Sequence, residues 1–265
     1  MSVASTNAVP AVPRIEELAA PPAWRTIDFI SDLHLQAAEA GTFEAWRQYM
    51  GQTPADAVFI LGDLFEAWVG DDMAGEPGFA ADCGAVLHAA SARAAIFFMH
   101  GNRDFLVGDG FLRACRTTLL PDPTVLDFAG QRWLLTHGDA LCLADTEYMQ
   151  FREQVRAPSW QREFLAKPLV QRQAIGKALR DQSEARKRAG MEYADVDTAA
   201  ARAWLEAADA QVLIHGHTHR PADHMLDASH QRTVLSDWDA DAEPARMQVL
   251  RLTAAGMQRI AFNSD

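Results

Sequence analysis

The sequence predicts a layered α/β fold, a four-layer αββα sandwich with a helical insertion, and three observations lead there. Five short apolar runs each end in an Asp, Asn or His cluster beside glycine. Between residues 146 and 208 strand signals vanish, and a Gln-, Arg- and Ala-rich sequence of helical propensity takes over. Beyond it the strand pattern resumes to the end of the chain. Continuous apolar runs are the mark of strands buried on both faces, and in layered α/β folds ligands collect beyond the carboxyl ends of the strands.

The elements follow in order. Residues 1–24 are rich in Ala, Pro and small polar residues, with Pro10, Pro13, Pro21 and Pro22, and read as a disordered leader outside the fold. The domain then spans 25–265. Arg25–Ser31 is the first strand, and Ala57–Gly62 and Ala94–Gly101 are near-continuous apolar runs, each preceded by a stretch of helical character. Arg132–Gly138 and Gln211–Gly216 end the same way. Thr233–Ser236, Met247–Thr253 and Met257–Phe262 are expected in a second sheet, the last two joined by an Ala-Ala-Gly turn. The insertion at 146–208 is expected to sit over the strand ends, broken into pieces at Pro158 and Pro168.

Composition narrows the class of function. The chain has 265 residues, 49% hydrophobic and 23% charged, which is ordinary for a globular protein. Cys83, Cys115 and Cys142 are odd in number, widely spaced and without zinc-site spacing, so buried reduced thiols are expected in place of a disulfide framework. No apolar run approaches the ~20 residues that span a bilayer, and the start lacks the basic head and apolar middle of a signal peptide; a cytoplasmic protein is expected. The net charge of −12 argues against general binding to nucleic acid. One segment is nevertheless basic: Thr146–Gly190 holds ten Lys/Arg against five Asp/Glu. It reads either as a solvated helical surface or as a face turned toward an anionic substrate or anionic lipid headgroups.

The chemistry lies in five motifs at the strand ends: D-L-H (Asp32, His34), G-D-L-F-E (Asp63), G-N-R-D (Asn102–Asp104), H-G-D (His137–Asp139) and H-G-H-T-H (His215–His219). Each alone is weak, but five in sequence at the ends of apolar runs point to one centre. The i, i+2 spacings of Asp32 with His34 and of His217 with His219 let each pair reach a common point, and the glycines let backbone pass close to an ion. Carboxylate, imidazole and amide donors without a cysteine cage favour a catalytic site for Mn²⁺, Fe²⁺ or Zn²⁺. Seven candidate ligands, Asp32, His34, Asp63, Asn102, His137, His217 and His219, suit two ions.

With these motifs the chain after the leader resembles the calcineurin-like metallophosphoesterases. The resemblance implies one ion held by Asp32, His34, Asp63 and His219, and a second by Asp63, Asn102, His137 and His217, with Asp63 bridging and phosphoester hydrolysis without a covalent intermediate. Members of that superfamily usually carry His after the Asn of the third motif, where this chain has Arg103. Arginine holds its proton too tightly to serve as a general acid but clamps phosphate oxygens well. A leaving group that needs no proton, such as a phosphate monoester leaving a pyrophosphate, fits that change; the competing reading pairs Arg103 with Asp104.

The strings G-D-L-F-E-A-W-V-G-D-D (62–72), H-G-N-R-D-F-L (100–106), H-G-D-A-L-C (137–142) and H-G-H-T-H-R-P (215–221) are similar to those of the UDP-2,3-diacylglucosamine pyrophosphatase (hydrolase) family of lipid A synthesis. That resemblance implies Mn²⁺-dependent attack of water on the α-phosphorus, giving UMP and 2,3-diacylglucosamine 1-phosphate, by an enzyme peripheral on the cytoplasmic face of the inner membrane. It also implies catalytic roles for Asp63, Asn102 and Arg103 and substrate contacts from Asn102, Arg103, Asp145, Ser183 and His217, with Tyr148 nearby. The insertion becomes a lid sheltering the acyl chains, for which Phe151, Trp160, Phe164, Leu165 and Leu169 are candidates, each equally readable as helix packing. After Ser183 the family presents Asn and then Lys, whereas this chain reads E-A-R-K-R-A-G, which leaves open whether Arg186 or Lys187 takes the polar role. Trp68, Trp238, His88, His100, His224 and His230 are read as structural. Two alternatives stand beside this: a general nucleotide or phosphodiester hydrolase, and a scaffold of the same fold without catalysis.

Overall fold

The polypeptide enters the fold earlier than its composition suggests. The computed structural model describes residues 11–188 and 194–262, without the side chains of 182–188. Strand β1 (Glu16–Ala19) lies inside the predicted leader, pairing parallel with β6 (Thr124–Phe128) in the register Glu16↔Thr124 to Ala19↔Asp127. Leu18 packs among the apolar side chains between the two sheets, while Ile15 and Val12 pack on the opposite face of β6. The alternation in a four-residue stretch was enough for an edge strand, and the prolines around it hid the signal. The expectation of disorder for residues 1–10 lies outside the described residues.

The first sheet has the order β12-β11-β2-β3-β4-β5. Here β2 (Thr26–Ile30), β3 (Ala57–Leu61), β4 (Ala95–Met99) and β5 (Thr117–Leu120) run parallel, linked through α1 (Ala40–Gln52), α2 (Phe79–Ala90) and α3 (Asp109–Ala114). The second sheet has the order β1-β6-β7-β8-β10-β9, with β7 (Gln131–Leu135), β8 (Val212–His215), β9 (Asp223–Met225) and β10 (Gln231–Val234). Strands β11 (Gln248–Thr253) and β12 (Gly256–Ala261) correct the expectation: they extend the first sheet beside β2, not the second beside β10. Arg251 on β11 forks onto Asp28 of β2 at 2.7 and 2.9 Å, a long-range pairing that strand periodicity does not encode.

Alternation of side chains across the strands builds three apolar layers. Ile27, Phe29, Phe59, Phe97 and Met99 face Leu126, Trp133, Leu135 and Ile214 of the other sheet, with Phe59 stacked on Phe97 at 4.5 Å between ring centroids. On the outer face of the first sheet, Val58, Ile60 and Phe98 pack against Trp46, Leu87 and Phe111 of the three helices. On the outer face of the second, Val125, Leu134 and Leu213 meet Ala201, Trp204 and Leu205 of α7 (Thr198–Ala207). At ~1.5–3 kcal/mol for each fully buried large side chain, these layers are the main stabilising term.

Residues 146–208 divide in two. Helices α4 (Thr146–Arg156), α5 (Pro158–Leu165) and α6 (Leu169–Arg188) wall one side of the cavity at the strand ends, the position of the expected lid, whereas α7 is an outer layer of the sandwich. Pro158 begins α5 and α6 starts directly after Pro168, as fits a residue that cannot donate inside a helix. The Asp145 carboxylate accepts from Tyr148 N at 3.0 Å to cap α4, and Asp197 accepts from Ala200 N at 2.8 Å to cap α7.

Candidate metal centre

The loops that leave β2, β3, β4, β7 and β8 meet at one edge of the sandwich, where the two sheets bring their carboxyl ends together. Asp32, His34, Asp63, His217 and His219 all have positive φ, at 53°, 49°, 53°, 68° and 53° respectively. A non-glycine residue held there costs ~1–3 kcal/mol, and such strain concentrates at functional sites. Close backbone approach is also required at Gly101 and Gly216: a Cβ at the first would collide with the Asp63 carboxylate, and at the second with Asp32 and Ser31.

All seven residues singled out from the sequence converge. Donor atoms of Asp32, His34 and His219 lie within 4.8 Å of one another, as do those of Asp32, Asp63 and His137. Asp63 Oδ2 stands between two imidazoles, 3.9 Å from His34 Nε2 and 3.8 Å from His137 Nε2. Asn102 Oδ1 faces His217 Nδ1 at 2.8 Å and His137 Nε2 at 3.0 Å, and His34 Nε2 faces His219 Nε2 at 3.2 Å. Two donors bound ~2.1 Å from one ion lie about 3–3.5 Å apart, so this spacing matches the donor set.

The neighbours prepare these groups as ligands. His137 Nδ1 lies 2.9 Å from Leu61 O, which accepts the ring proton and leaves Nε2 free toward Asp63 and Asn102. Glu66 Oε2 lies 2.9 Å from His34 Nδ1, an ion-pair contact that sets a negative charge beside this ring. Asp32, wholly buried, accepts from His217 N at 2.9 Å and from Ser31 Oγ at 2.5 Å. Burial opposes charge on Asp32, but His219, His137 and His34 outweigh it and hold its carboxyl far below the usual range. For His137 burial likewise opposes the charged form, yet Asp63, Asp139 and Asp32 push the imidazole up to about 9. His34 is raised against burial by Glu66, Asp63 and Asp32, whereas burial and His137 bring His217 down to about 4. Buried carboxylates that draw protons onto adjacent imidazoles make a potential suited to a cation. The donor chemistry and the geometry therefore fit divalent metal.

Arg103 does not pair with Asp104. Its guanidinium lies 3.4 Å from Glu66 Oε1 and its backbone N donates to Asp63 Oδ1 at 2.8 Å. Asp104 is wholly buried and turned to the backbone, accepting from Gly101 N and Leu64 N at 2.8 Å each; burial and Asp63 raise it to about 7. Asp104 thus fixes the loop that presents Asp63, and Arg103 is left facing the cavity.

That cavity, about 550 Å³, lies between the centre and the lid. Phe105, Phe151, Trp160 and Phe164 form its apolar side, with Trp160 stacked on Phe164 at 4.8 Å. Asn102, Arg103, Asp145, Tyr148 and His217 border it, as expected. Leu165 does not border it and is 42% exposed, and Leu169 packs against the core around the first sheet. The side chains of Ser183, Arg186 and Lys187 lie outside the described residues.

Three groups escaped the sequence reading. Glu66, inside the quoted G-D-L-F-E motif, touches His34, Arg103 and, at 3.9 Å, Arg180 of the lid. Asp139 of H-G-D is wholly buried; it accepts from Tyr148 Oη at 2.6 Å and Arg152 Nε at 2.8 Å, latching α4 to the floor. Arg172, buried on α6, pairs with the carboxylate of Asp72 and donates to Val69 O, anchoring the far end of the lid. The acids stood in visible motifs, but their basic partners are 13 to 114 positions away, and nothing local connects them.

Comparison with known proteins agrees with this layout. The profile of the calcineurin-like phosphoesterase family matches residues 25–221. The UDP-2,3-diacylglucosamine hydrolase of Bordetella pertussis is 44% identical over 241 residues, which cover 86% of this chain and 92% of that protein. The protein of the same name from Chromobacterium violaceum is 47% identical over 221 residues, covering 80% and 90%.

Proposed function

The chain belongs to the calcineurin-like phosphoesterase family, and from that premise we propose that it hydrolyses the pyrophosphate bond of UDP-2,3-diacylglucosamine, with water attacking the α-phosphorus to give UMP and 2,3-diacylglucosamine 1-phosphate. The observation that carries this reading is the junction of two unlike surfaces in one cavity. A floor of buried carboxylates and imidazoles opens directly into a chamber walled by Phe105, Phe151, Trp160 and Phe164. A water-soluble nucleotide has no use for such a wall, while a diacylated nucleotide sugar needs both surfaces. The name of the relatives that match along most of their length supports the same substrate.

In this reading Asp32, His34, Asp63 and His219 hold one Mn²⁺, and Asp63, Asn102, His137 and His217 hold the other. Bound there, the ions supply Lewis acidity that lowers the pKa of water and offsets charge on the phosphoryl oxygens. The chain supplies position. Arg103, tethered by Glu66 and by its own backbone to Asp63, clamps the phosphate oxygens, and because the departing sugar 1-phosphate is stable as an anion no general acid is required. Asn102 orients the attacked phosphoryl group through its side-chain amide. Asp145, Ser183 and His217 contact the sugar and its phosphate, and the lid excludes water from the acyl chains.

No helix among the described residues is long and apolar enough to cross a membrane. Access to a lipid substrate then falls to the lid surface, where Leu165 and Val170 are exposed beside Arg162 and Lys167. Peripheral association with the cytoplasmic face of the inner membrane is the reading of that surface, and salt-sensitive binding of the enzyme to anionic vesicles is the expected outcome. The decisive experiment is hydrolysis of UDP-2,3-diacylglucosamine with Mn²⁺ in ¹⁸O-labelled water. Label is expected in UMP; label in the sugar phosphate would move the attack to the other phosphorus, and absence of turnover would remove the substrate assignment.

A further inference from the structure

A second cavity, about 240 Å³, adjoins the first and shares with it the side chains of Thr218 and Arg220. It is bordered also by Asp195, His224 and Arg232 and lacks the aromatic wall of the lid chamber. Thr218 stands between His217 and His219 in the chain, so the shared wall is part of the metal-centre loop itself. Two polar atoms at this cavity's borders are buried without a partner among the described residues: Thr218 Oγ1 and Arg232 Nε, the latter on a residue only 6% exposed. An unpaired buried donor costs about 1–3 kcal/mol, so an acceptor brought to these atoms would be stabilising.

The same cavity is bordered by an acceptor. Asp195 Oδ1 takes Arg232 Nη1 at 2.6 Å and Val196 N at 2.7 Å, while Oδ2 takes, among the described residues, only Arg232 Nη2, at 3.0 Å, which leaves it capacity for a further donor. The Arg232 guanidinium holds the Asp195 carboxyl down at about 2, so it remains an ionised acceptor at neutral pH. The cavity thus offers hydroxyl donor, carboxylate acceptor and guanidinium donor. The imide edge of uracil presents the complement: carbonyl oxygen, N–H, carbonyl oxygen. Cytosine presents an unprotonated ring nitrogen in the middle, which would face the carboxylate lone pair.

We propose that this second cavity is the uracil subsite, with Thr218, Asp195 and Arg232 reading the imide edge while Arg220 spans from the base to the α-phosphate. The assignment rests on the reading of the substrate as a UDP-linked lipid. The two halves of such a substrate diverge from the α-phosphorus at the metal centre: the acyl chains take the apolar chamber, and the nucleoside needs a separate polar recess that shares the same loop.

The test is calorimetric titration of UMP, CMP and ribose 5-phosphate into the Mn²⁺-loaded protein, which is independent of turnover. UMP is expected to bind at least about tenfold more tightly than either competitor. Thr218→Val, which keeps shape and removes the hydroxyl, is expected to erase most of that preference, and Thr218→Ser to restore it. Equal affinity for the three ligands overturns the subsite, as does a uracil preference untouched by Thr218→Val. Failure of the substrate assignment reads differently, as absence of UDP-2,3-diacylglucosamine turnover whatever the base preference.

Discussion

The floor of the cavity and its lid are built on opposite principles. On the floor, the carboxylates are fixed by backbone: Asp32 is gripped by the His217 amide, Asp63 by the Arg103 amide, and the Asp63 loop by the Asp104 carboxylate. Five of its residues are held at positive φ, and the donor atoms stand at coordination spacing. Among the described residues the lid is held to the rest of the fold largely by arginines: Arg152 on Asp139, Arg156 on Gly101 O, Arg180 at 3.9 Å from Glu66, and the fork of Arg172 on Asp72. Apolar side chains between those points stay partly exposed, Ile175 at 37% and Leu179 at 39%. A rigid floor fixes the chemistry, whereas a lid pinned at a few ion pairs can yield to admit a long amphiphile. Changes on the floor should therefore act on turnover and changes in the lid on substrate capture.

The largest effect is expected at the residue shared by both halves of the floor. Asp63→Ala should abolish turnover and lower metal content together, as read by metal analysis of the purified variant beside its rate; full metal content in an inactive variant would break the bridging role. Next comes Arg103→Ala, expected to slow hydrolysis on the order of 10²-fold or more while metal content stays normal, because the guanidinium meets charge developing on the phosphoryl oxygens. An Arg103→Ala enzyme of ordinary activity would count against the clamp.

The same contrast explains what the sequence discloses. The strand-end motifs are local: D-L-H, G-D-L-F-E and H-G-H-T-H place their donors by the geometry of one loop, so the residue types can be read in order. The sandwich was legible because buried parallel strands are continuous apolar runs. What stayed hidden depends on distant partners. The C-terminal hairpin lies beside β2 through the Arg251–Asp28 pair, 223 residues apart in the chain. Arg103 turns to Glu66 because the adjacent Asp104 is taken up by four backbone amides, from Asp63, Leu64, Phe65 and Gly101. β1 was masked by prolines, and α7 shares the helical composition of the lid while its apolar face, Ala201, Trp204 and Leu205, belongs to the sandwich.

Glu66 is where floor and lid meet, and its replacement tests whether they are separable. Glu66→Gln removes the charge beside His34 while retaining a similar shape. Metal affinity is expected to fall about 10–100-fold, the usual cost of losing a group that orients an imidazole ligand. Titration of the metal-free variant with Mn²⁺ measures this directly. If affinity is unchanged and only KM rises, Glu66 belongs to the lid and not to the centre.

Proton competition gives a smaller, pH-dependent effect confined to the floor. In the metal-free protein His137 is pushed up to about 9 and carries a proton at pH 7, His34 is raised from its ordinary value by Glu66, Asp63 and Asp32 against burial, and His217, brought down to about 4, is neutral. A cation must displace the His137 proton but none from His217. Apparent metal affinity should therefore climb as pH rises from 7 toward 9, by roughly tenfold per unit for each proton displaced, and level off above the His137 value. Calorimetry in buffers of different ionisation enthalpy counts the released protons; a count of zero at pH 7.5 would contradict the electrostatic account.

The lid should give the smallest change and the most selective one. Arg172→Met keeps the apolar stem of the side chain but removes the fork to Asp72 and the donations to Val69 O and Lys167 O. The centre is untouched, so kcat should stay within about twofold, while the loosened end of α6 raises KM by several-fold, on the scale of one or two lost hydrogen bonds. Because Gly176 of α6 packs its backbone close to Val69 and Leu179 borders the chamber, the increase should grow with acyl-chain length. A series of UDP-linked substrates with progressively shorter chains separates the outcomes. A KM penalty independent of chain length would mean that Arg172 stabilises the domain as a whole, whereas a penalty that vanishes for the shortest chain would locate its effect at the apolar end of the cavity.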